Sequence, residues 1–473
     1  QAYGPRAAFA IDWLHALAKK LDRRIMVRLV KGAYWDTEIK RAQVLGLPGY
    51  PVFTRKPNTD VSYIACAKKL LGMTDYIYPQ FATHNAHTVA AILSMAKDRD
   101  SFEFQRLHGM GEALHETVRK AEGTRCRIYA PVGAHSDLLA YLVRRLLENG
   151  ANSSFVHQLT DEQVAPRVIA RDPFETVENQ GPARNPNIPV PSAIFEGTRR
   201  NSKGWDLTDP ETLAALDKAR SAFDRPYNWH AKPLTSASGQ GAQQRIVNPA
   251  KPDELVGTVE DADAGQVSAA VTLAAKAQPA WAKRPVSERA AILERAADLY
   301  EANAVEFFAL ATREAGKSLA DGIAELREAV DFLHYYATQA SEVEQGTTAR
   351  GVIACISPWN FPLAIFTGQI AAALVTGNAV VAKPAEQTPL IAFRAVQLLR
   401  EAGIPDDVLQ LLPGDGPSVG GPLTADPRIA GVCFTGSTEV AKLIERQLAT
   451  TAAPNAMLIA ETGGLNAMIV DST

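Results

Sequence analysis

The stretch Arg28-Leu29-Val30-Lys31-Gly32-Ala33-Tyr34-Trp35 places two cations and two aromatic rings within eight residues. Arg28 ends a strand-like apolar run, Ile25 to Val30, where a guanidinium is costly unless it meets an anion or strong acceptors. Lys31 follows, and Trp35 offers a flat ring. Cations beside an aromatic plane can hold the pyrophosphate and ring system of a flavin. The same residues would equally make a salt-bridge cluster on a rim. Arg144 and Arg145 are adjacent on a helical stretch whose other face is apolar. Two fixed guanidiniums can grip one carboxylate, and Glu148 can orient Arg144 by an i, i+4 contact. A solvated helix face is the commoner setting for a bare arginine pair. His84, between Thr83 and Asn85, can donate to a cofactor oxygen or be a satisfied polar residue. Tyr129, at a strand end, is open between substrate contact and core packing.

A second group stands near the other end. Asn360 lies in Ser357-Pro358-Trp359-Asn360-Phe361-Pro362, after a strand. A side-chain amide held between two prolines is a preorganised donor for an oxyanion. Lys383 ends the next strand, where it can reach ribose hydroxyls, and Glu386 follows. Phe434-Thr435-Gly436-Ser437-Thr438 makes a strand-to-helix turn whose N–H groups can face a phosphate. Glu461 precedes Gly463-Gly464, and flexible backbone beside a carboxylate suits a general base that moves. Each has a plain alternative as loop, rim charge or turn. Together and in this order they suit a nicotinamide site. A flavin-type and a nicotinamide-type site on one chain suggest two consecutive oxidations of one small substrate.

The elements that must position these residues follow from patterning. Up to about residue 158, short apolar runs end in polar residues and lead into helical stretches: Ile25 to Val30, Tyr76 to Ala82, Phe102 to Gln105 and Cys126 to Tyr129. Alternating strands and helices imply a parallel sheet. Polar residues at strand C-terminal ends suit a (β/α) barrel, whose chemistry lies on that rim. Gln1 reads as the tail of an earlier strand, so about five strand ends are visible and a closed barrel would need sequence before Gln1. Residues 137–149 form a helix with Leu138, Leu139, Leu142, Val143, Leu146 and Leu147 at helical spacing. From 159 to 245, prolines from Pro166 to Pro233 mark a connector with one short helix near Pro210 to Phe223. Residues 246 to about 345 read as helical, with Val267 to Ala282 and Ser287 to Ala311 as runs. From Gly351 on, strands Val352 to Ile356, Ala379 to Lys383 and Gly431 to Phe434 alternate with helices in a Rossmann-type arrangement.

The 473 residues suggest about three domains. Lys plus Arg total 49 and Asp plus Glu 52, a net charge of −3, which gives no electrostatic argument for nucleic acid or an anionic membrane. The four cysteines, Cys66, Cys126, Cys355 and Cys433, form no CxxC pair, so neither a disulfide framework nor a metal site is expected. A reducing, cytoplasmic setting follows. The run Ile370 to Ala382 is too short to span a bilayer. The opening at Gln1 and the stop after the apolar run Ala467 to Val470 suggest a segment of a longer polypeptide.

Arg28 to Trp35, Ala82-Thr83-His84-Asn85, Tyr129-Ala130-Pro131-Val132-Gly133 and Tyr141 to Asn152 resemble the proline dehydrogenase domain of the bifunctional proline utilization A family, over residues 1–158. The resemblance implies FAD held by Gln1, Arg28, Val30, Lys31, Gly32, Trp35, Thr54, His84, Asn85, Gln105 and Glu148. It implies a proline pocket of Leu29, Tyr34, Leu107, Tyr129, Arg144 and Arg145, with the arginines on the carboxylate. The family's barrel also uses a lysine and an aspartate from earlier strands, which would lie before Gln1. Residues 246–473 resemble the NAD-binding part of an aldehyde dehydrogenase. This implies NAD held by Ile356, Ser357, Pro358, Trp359, Asn360, Lys383, Glu386, Gly416, Gly420, Phe434, Thr435, Gly436 and Ser437. It implies catalysis by Asn360 at the oxyanion and Glu461 as base for thioester hydrolysis. A glycine common in the phosphate helix appears as Ala441. The family's cysteine nucleophile comes a few tens of residues after the glutamate. Only 12 residues follow Glu461 (473 − 461) and none is cysteine. Cys355 and Cys433 lie in apolar runs and read as core.

The expected fold is therefore α/β: a partial (β/α)8 barrel over residues 1–158, the connector 159–245, and a Rossmann-type aldehyde dehydrogenase NAD-binding domain over 246–473. The expected activity is FAD-dependent oxidation of L-proline to Δ1-pyrroline-5-carboxylate, then NAD-dependent oxidation of glutamate semialdehyde to glutamate. The resemblance adds a quinone acceptor, peripheral contact with the inner membrane, a homo-oligomer and substrate channelling. Two alternatives are an aldehyde dehydrogenase with a relict barrel and a proline-responsive DNA-binding repressor. Survival of Arg28, Tyr129, Arg144 and Arg145 argues against the first. The charge balance gives the second no help.

Overall fold

The computed structural model describes residues 1–150, 165, 171–195, 197–224, 229–239, 241–343, 347–451, 455–464 and 467–471, without the side chains of 140, 144–150, 341 and 343. The chain forms two compact units. One comprises Gln1–Val44 and Gly49–Pro191, the other Leu45–Pro48 and Ser192–Thr473.

In the first unit, β1 (Ile25–Leu29), β2 (Ile77–Ala82), β3 (Glu103–Leu107) and β4 (Arg125–Tyr129) lie in sequence order. Every adjacent pair is parallel. Helices α1 (Ala7–Lys20), α2 (Trp35–Val44), α3 (Lys56–Leu71), α4 (Ala86–Met95), α5 (Glu112–Glu122), α6 (His135–Gly150) and α7 (Pro173–Asn179) precede, separate or follow them. Local chemistry fixes the ends. Asn85 caps α4 by accepting from the Thr88 N–H at 2.9 Å. Gly111 and Gly123 bracket α5 with φ of +65° and +69°, which a side chain would resist. Buried Phe81, Phe102 and Phe104 pack with ring centroids 5.5 and 5.4 Å apart. Buried Tyr63 donates toward the Leu29 and Ala82 carbonyls, each at 3.2 Å, and so ties the exits of β1 and β2 together. Four strands, not five, make this sheet among the described residues. The first residues run beside the exit of β1, where Ala2 N–H donates to Val30 O and Tyr3 N–H to Lys31 O, both at 2.8 Å.

In the second unit, β5 (Trp229–Ala231), β6 (Gln243–Asn248) and β7 (Lys251–Glu260) form a small sheet of order β5-β7-β6. The β6–β7 hairpin occupies part of the stretch that reads as helical from sequence. Helices α8 (Pro210–Arg220), α9 (Ala264–Ala282), α10 (Val286–Ala302), α11 (Ala304–Arg313) and α12 (Leu319–Val343) lie around it in sequence. The expected continuous run to Ala311 breaks at Asn303, whose ψ of 19° departs from helical geometry. Asp263 and Gln266 form a reciprocal capping box on α9. The large sheet follows: β8 (Val352–Ile356), β9 (Ala379–Lys383), β10 (Leu409–Leu411), β11 (Ile429–Thr435) and β12 (Met457–Glu461), in the order β10-β9-β8-β11-β12. All its pairs are parallel. Helices α13 (Ala364–Val375), α14 (Pro389–Glu401), α15 (Gly421–Ala425) and α16 (Thr438–Thr451) connect the strands. β9 is buried along its whole length, as expected for a strand covered on both faces.

Two buried glutamates cap helices here. Glu314 accepts from Leu390 N–H at 2.6 Å and Ile391 N–H at 2.9 Å, at the start of α14. Burial pushes its carboxyl up to about 8, against the pull of these two donors and from an ordinary 4.5. The folded state thus holds this proton more tightly than the unfolded chain does. That contribution to stability is complete below about 4.5 and is lost as pH rises to about 8. The melting temperature should fall across this window, and Glu314→Gln should flatten the fall. Thermal scans of both proteins from pH 5 to pH 9 check it; equal slopes would contradict the assignment.

Candidate active sites

The C-terminal ends of β1 to β4 bring one set of sequence-predicted residues to a common rim. Arg28 is exposed, so the desolvation argument made from its strand does not apply. Its guanidinium instead lies 5.6 Å from the centre of the Tyr129 ring, which is 43% exposed at the end of β4. Lys31 pairs with Asp60 at 2.5 Å, and Lys56 reaches the other oxygen of Asp60 at 2.9 Å. Burial pushes the Lys31 ammonium down, while Asp60 opposes that. Burial would raise Asp60, but the two ammoniums hold it below the usual carboxylate range. Gly32 has φ of +131°, and a Cβ there would fall 2.4 Å from the Tyr3 ring. Val30 and Lys31 accept the backbone bonds from Ala2 and Tyr3, which places Gln1 beside them.

His84 Nε2 accepts from the Leu107 N–H at 3.1 Å, joining the ends of β2 and β3. A backbone N–H can only donate, so this nitrogen carries the lone pair and the proton sits on Nδ1. Gln105 is buried in β3, and Leu29 is buried at the end of β1. Tyr34 is 45% exposed. Three expected contacts have other commitments: Trp35 donates its indole N–H to Phe53 O at 2.8 Å, Thr54 Oγ accepts from Asn185 N–H at 2.9 Å, and the Asn85 side chain caps α4. The side chains of Arg144, Arg145 and Glu148 lie outside the described residues; their backbone belongs to α6.

Sequence reasoning did not select Asp60, His115 or the Glu103–Arg127 pair. Glu103 accepts from Arg127 at 2.5 and 3.1 Å and from Gln80 at 2.5 Å. Burial favours its neutral acid, but Arg127 and Gln80 keep it below the usual carboxylate range. Buried His115 bonds the Thr83 carbonyl at 2.9 Å. No short motif marks these residues; only the fold assembles them.

The second site lies where the strand order of the large sheet reverses, between β8 and β11. Open α/β sheets bind ligands outside the strand C-terminal ends at such a point. Ile356 ends β8, and Ser357, Pro358, Trp359 and Asn360 lead out of it, with Asn360 exposed and Trp359 56% exposed. Phe434 and Thr435 end β11. Gly436 N–H donates to Glu461 O at 3.1 Å, and a Cβ on Gly436 would fall 2.6 Å from the Phe434 ring. Ser437 Oγ accepts from Val440 N–H at 3.3 Å and caps α16, where Ala441 is buried. Glu461 is exposed at the end of β12, opposite Thr435 in register.

Lys383 is only 4% exposed; it donates to Pro384 O at 3.1 Å and lies 3.8 Å from Glu386. Burial pushes its ammonium down, while Glu386, Asp415 and Asp261 support the charge. Gly416 and Gly420 bracket a turn after β10, capped by Asp415 at 2.7 Å from Ser418 N–H. Asp261 and Asp415 were not selected from sequence. Cys433 sits opposite Cys355 on the neighbouring strand. A hydrogen bond donated by Cys355 to the Cys433 sulfur, together with complete burial, holds the Cys355 thiol above its ordinary value, which makes a poor nucleophile. Among the described residues no cluster of three metal-ligating side chains occurs, and no helix is long and apolar enough to cross a membrane.

Four parallel strands with their helices, followed by a doubly wound sheet with a switch point, define a two-domain α/β protein. Residues 236–473 match the profile of the aldehyde dehydrogenase family and residues 1–158 that of proline dehydrogenase. The chain belongs to the aldehyde dehydrogenase family and carries a proline dehydrogenase-type domain ahead of that region. It is 54% identical to the bifunctional protein PutA of Klebsiella aerogenes over 100% of this chain and 38% of that protein. It is similar to a crystal structure of a Bradyrhizobium japonicum proline utilization A variant, with a TM-score of 0.84 and 50% identity over 98% of this chain and 46% of that one. A 1-pyrroline-5-carboxylate dehydrogenase from Thermus with bound NAD gives a TM-score of 0.53 and 32% identity over 56% of this chain and 55% of that one. The chain thus spans about two fifths of the length of the curated relative it matches over its full extent.

Proposed function

We propose that this chain carries parts of both centres of an enzyme that oxidises L-proline to L-glutamate in two steps. One observation carries the reading: two redox-family matches occur on one chain, in the order found in a relative 54% identical over all of it. FAD, when bound, would accept hydride from proline, and NAD⁺ would accept hydride from glutamate semialdehyde. The first rim fits an anionic, planar cofactor. Arg28 and Lys31 supply cations, His84 a fixed Nδ1–H donor, and Gly32 a backbone with no side chain in the way. Leu29, Tyr34, Leu107 and Tyr129 would wall the proline, with Arg144 and Arg145 on its carboxylate. In the second site Lys383 and Glu386 would meet ribose hydroxyls and the Gly436-Ser437 turn a phosphate. Asn360 would donate to the oxyanion, and Glu461 would deprotonate the attacking water. Glutamate semialdehyde arises by hydrolytic ring opening of Δ1-pyrroline-5-carboxylate. Electrons taken from proline would pass to a quinone at the inner membrane, in a homo-oligomeric, otherwise cytoplasmic protein.

The test is spectroscopic and needs both halves. Purified protein carrying this sequence should be yellow, lose colour when L-proline is added anaerobically, and form NADH from Δ1-pyrroline-5-carboxylate. NADH formation in a protein that stays colourless after FAD reconstitution would favour the relict-barrel alternative. Absence of both signals would reject the proposal.

A further inference from the structure

The turn between α11 and α12 reaches the loops that follow two neighbouring strands of the large sheet. Gly316 makes this turn with φ of +68°, and a Cβ there would lie 2.9 Å from Pro249 Cγ. Glu314 lies just before it, Lys317 just after it, and Glu325 within α12. Glu325 is 1% exposed. One of its oxygens accepts from Leu363 N–H at 3.1 Å and Ala364 N–H at 2.9 Å, at the start of α13. The other lies 3.2 Å from Lys317 Nζ. That ammonium also sits 4.5 Å from the centre of the Phe361 ring. Phe361 follows Asn360 directly, so one carboxylate is tied to the loop through the helix after it and through the ring beside it. Glu314 does the corresponding job one strand over. It holds the opening of α14 through Leu390 and Ile391, a few residues after Lys383 and Glu386.

We propose that Glu325, through Lys317, is the positioning residue for the Asn360 loop, and that Glu314 is the positioning residue for the Lys383–Glu386 loop. This rests on the nicotinamide reading of the second unit. A buried carboxylate at a helix N-terminus stabilises that helix in any case. Here each capped helix is the one that follows a strand-end loop of the site, and the two loops have different tasks. Asn360 acts on the reacting oxygen, so loosening its loop affects turnover. Lys383 and Glu386 act on the ribose, so loosening theirs affects cofactor affinity. The two glutamates therefore divide between two kinetic constants. A role in stability alone would divide nothing.

The experiment compares Glu325→Gln, Lys317→Met and Glu314→Gln in the full-length dehydrogenase carrying this sequence, assayed with Δ1-pyrroline-5-carboxylate and NAD⁺. Losing the buried contact at either place should change its constant about tenfold. Glu325→Gln and Lys317→Met should lower kcat by a larger factor than they raise KM for NAD⁺, since Ile356 to Asn360 also belong to the expected NAD⁺ site. Glu314→Gln should raise KM and Kd for NAD⁺ with kcat nearly unchanged. Lys317→Met keeps both backbone bonds to Glu325, so it carries the first arm should Glu325→Gln not fold. Glu314→Asp, which keeps the carboxyl but shortens its reach, carries the second through the NAD⁺ Kd of the same protein. Lower melting temperatures with both constants within about twofold of wild type would overturn the inference. Wild-type protein that neither binds NAD⁺ nor forms NADH would instead overturn the functional reading beneath it.

Discussion

In a full-length dehydrogenase carrying this sequence, replacing Asn360 by alanine should lower aldehyde oxidation by about 10²–10³ in kcat, the usual cost of removing one oxyanion donor. The side chain is exposed on a loop between two prolines, so the fold should survive the change. Lys383, the Gly436-Ser437 turn and Glu461 stand on other strands, so NAD⁺ affinity should fall by a much smaller factor than kcat. Steady-state kinetics with Δ1-pyrroline-5-carboxylate, a NAD⁺ titration and a thermal scan check the three parts. A kcat within about threefold of wild type would remove Asn360 from the oxyanion role.

Arg28→Met should weaken FAD binding by about 10–100-fold, the worth of one hydrogen bond to a charged group. Among the described residues no carboxylate forms an ion pair with Arg28, whose guanidinium lies over the Tyr129 ring. Lys31 differs, because Asp60 already takes up its charge. Arg28 is therefore the cation with more capacity left for an anionic ligand, although Lys31 is the more buried of the two. Flavin absorbance retained after dialysis, together with a direct FAD titration, measures the loss. Equal retention by variant and wild type would place the anion elsewhere on the rim.

Legibility from sequence followed the range of the interactions. The strands β8, β9 and β11 and the rim residues at their ends were readable because a parallel strand is a short apolar run with chemistry at its C-terminal end. Residues 251–260 were not read as a strand. Pro252 and two acidic residues interrupt their alternation, and the hairpin is settled by pairing with β6. Glu314 and Glu325 look like ordinary surface charges in Ala-rich helices. Their burial depends on where α13 and α14 begin, some 40 to 80 residues later. Asp60 was missed for the same reason: its meaning comes from Lys31, which is distant in sequence. Arg28 shows the converse error. Strand position alone suggested burial, and the open face of the sheet decided otherwise.

The strand order of the large sheet has a kinetic side. β8 and β9 pair residues such as Ala354 and Val381, 27 apart (381 − 354), whereas β8 and β11 pair Ala354 with Val432, 78 apart (432 − 354). Closing the longer loop costs more chain entropy before any contact rewards it. A half-folded chain with β8, β9 and β10 already zipped would hold Lys383 and Asn360 in place and still have no crevice. Nucleotide present during synthesis could then reward only the finished sheet and could not template the early one.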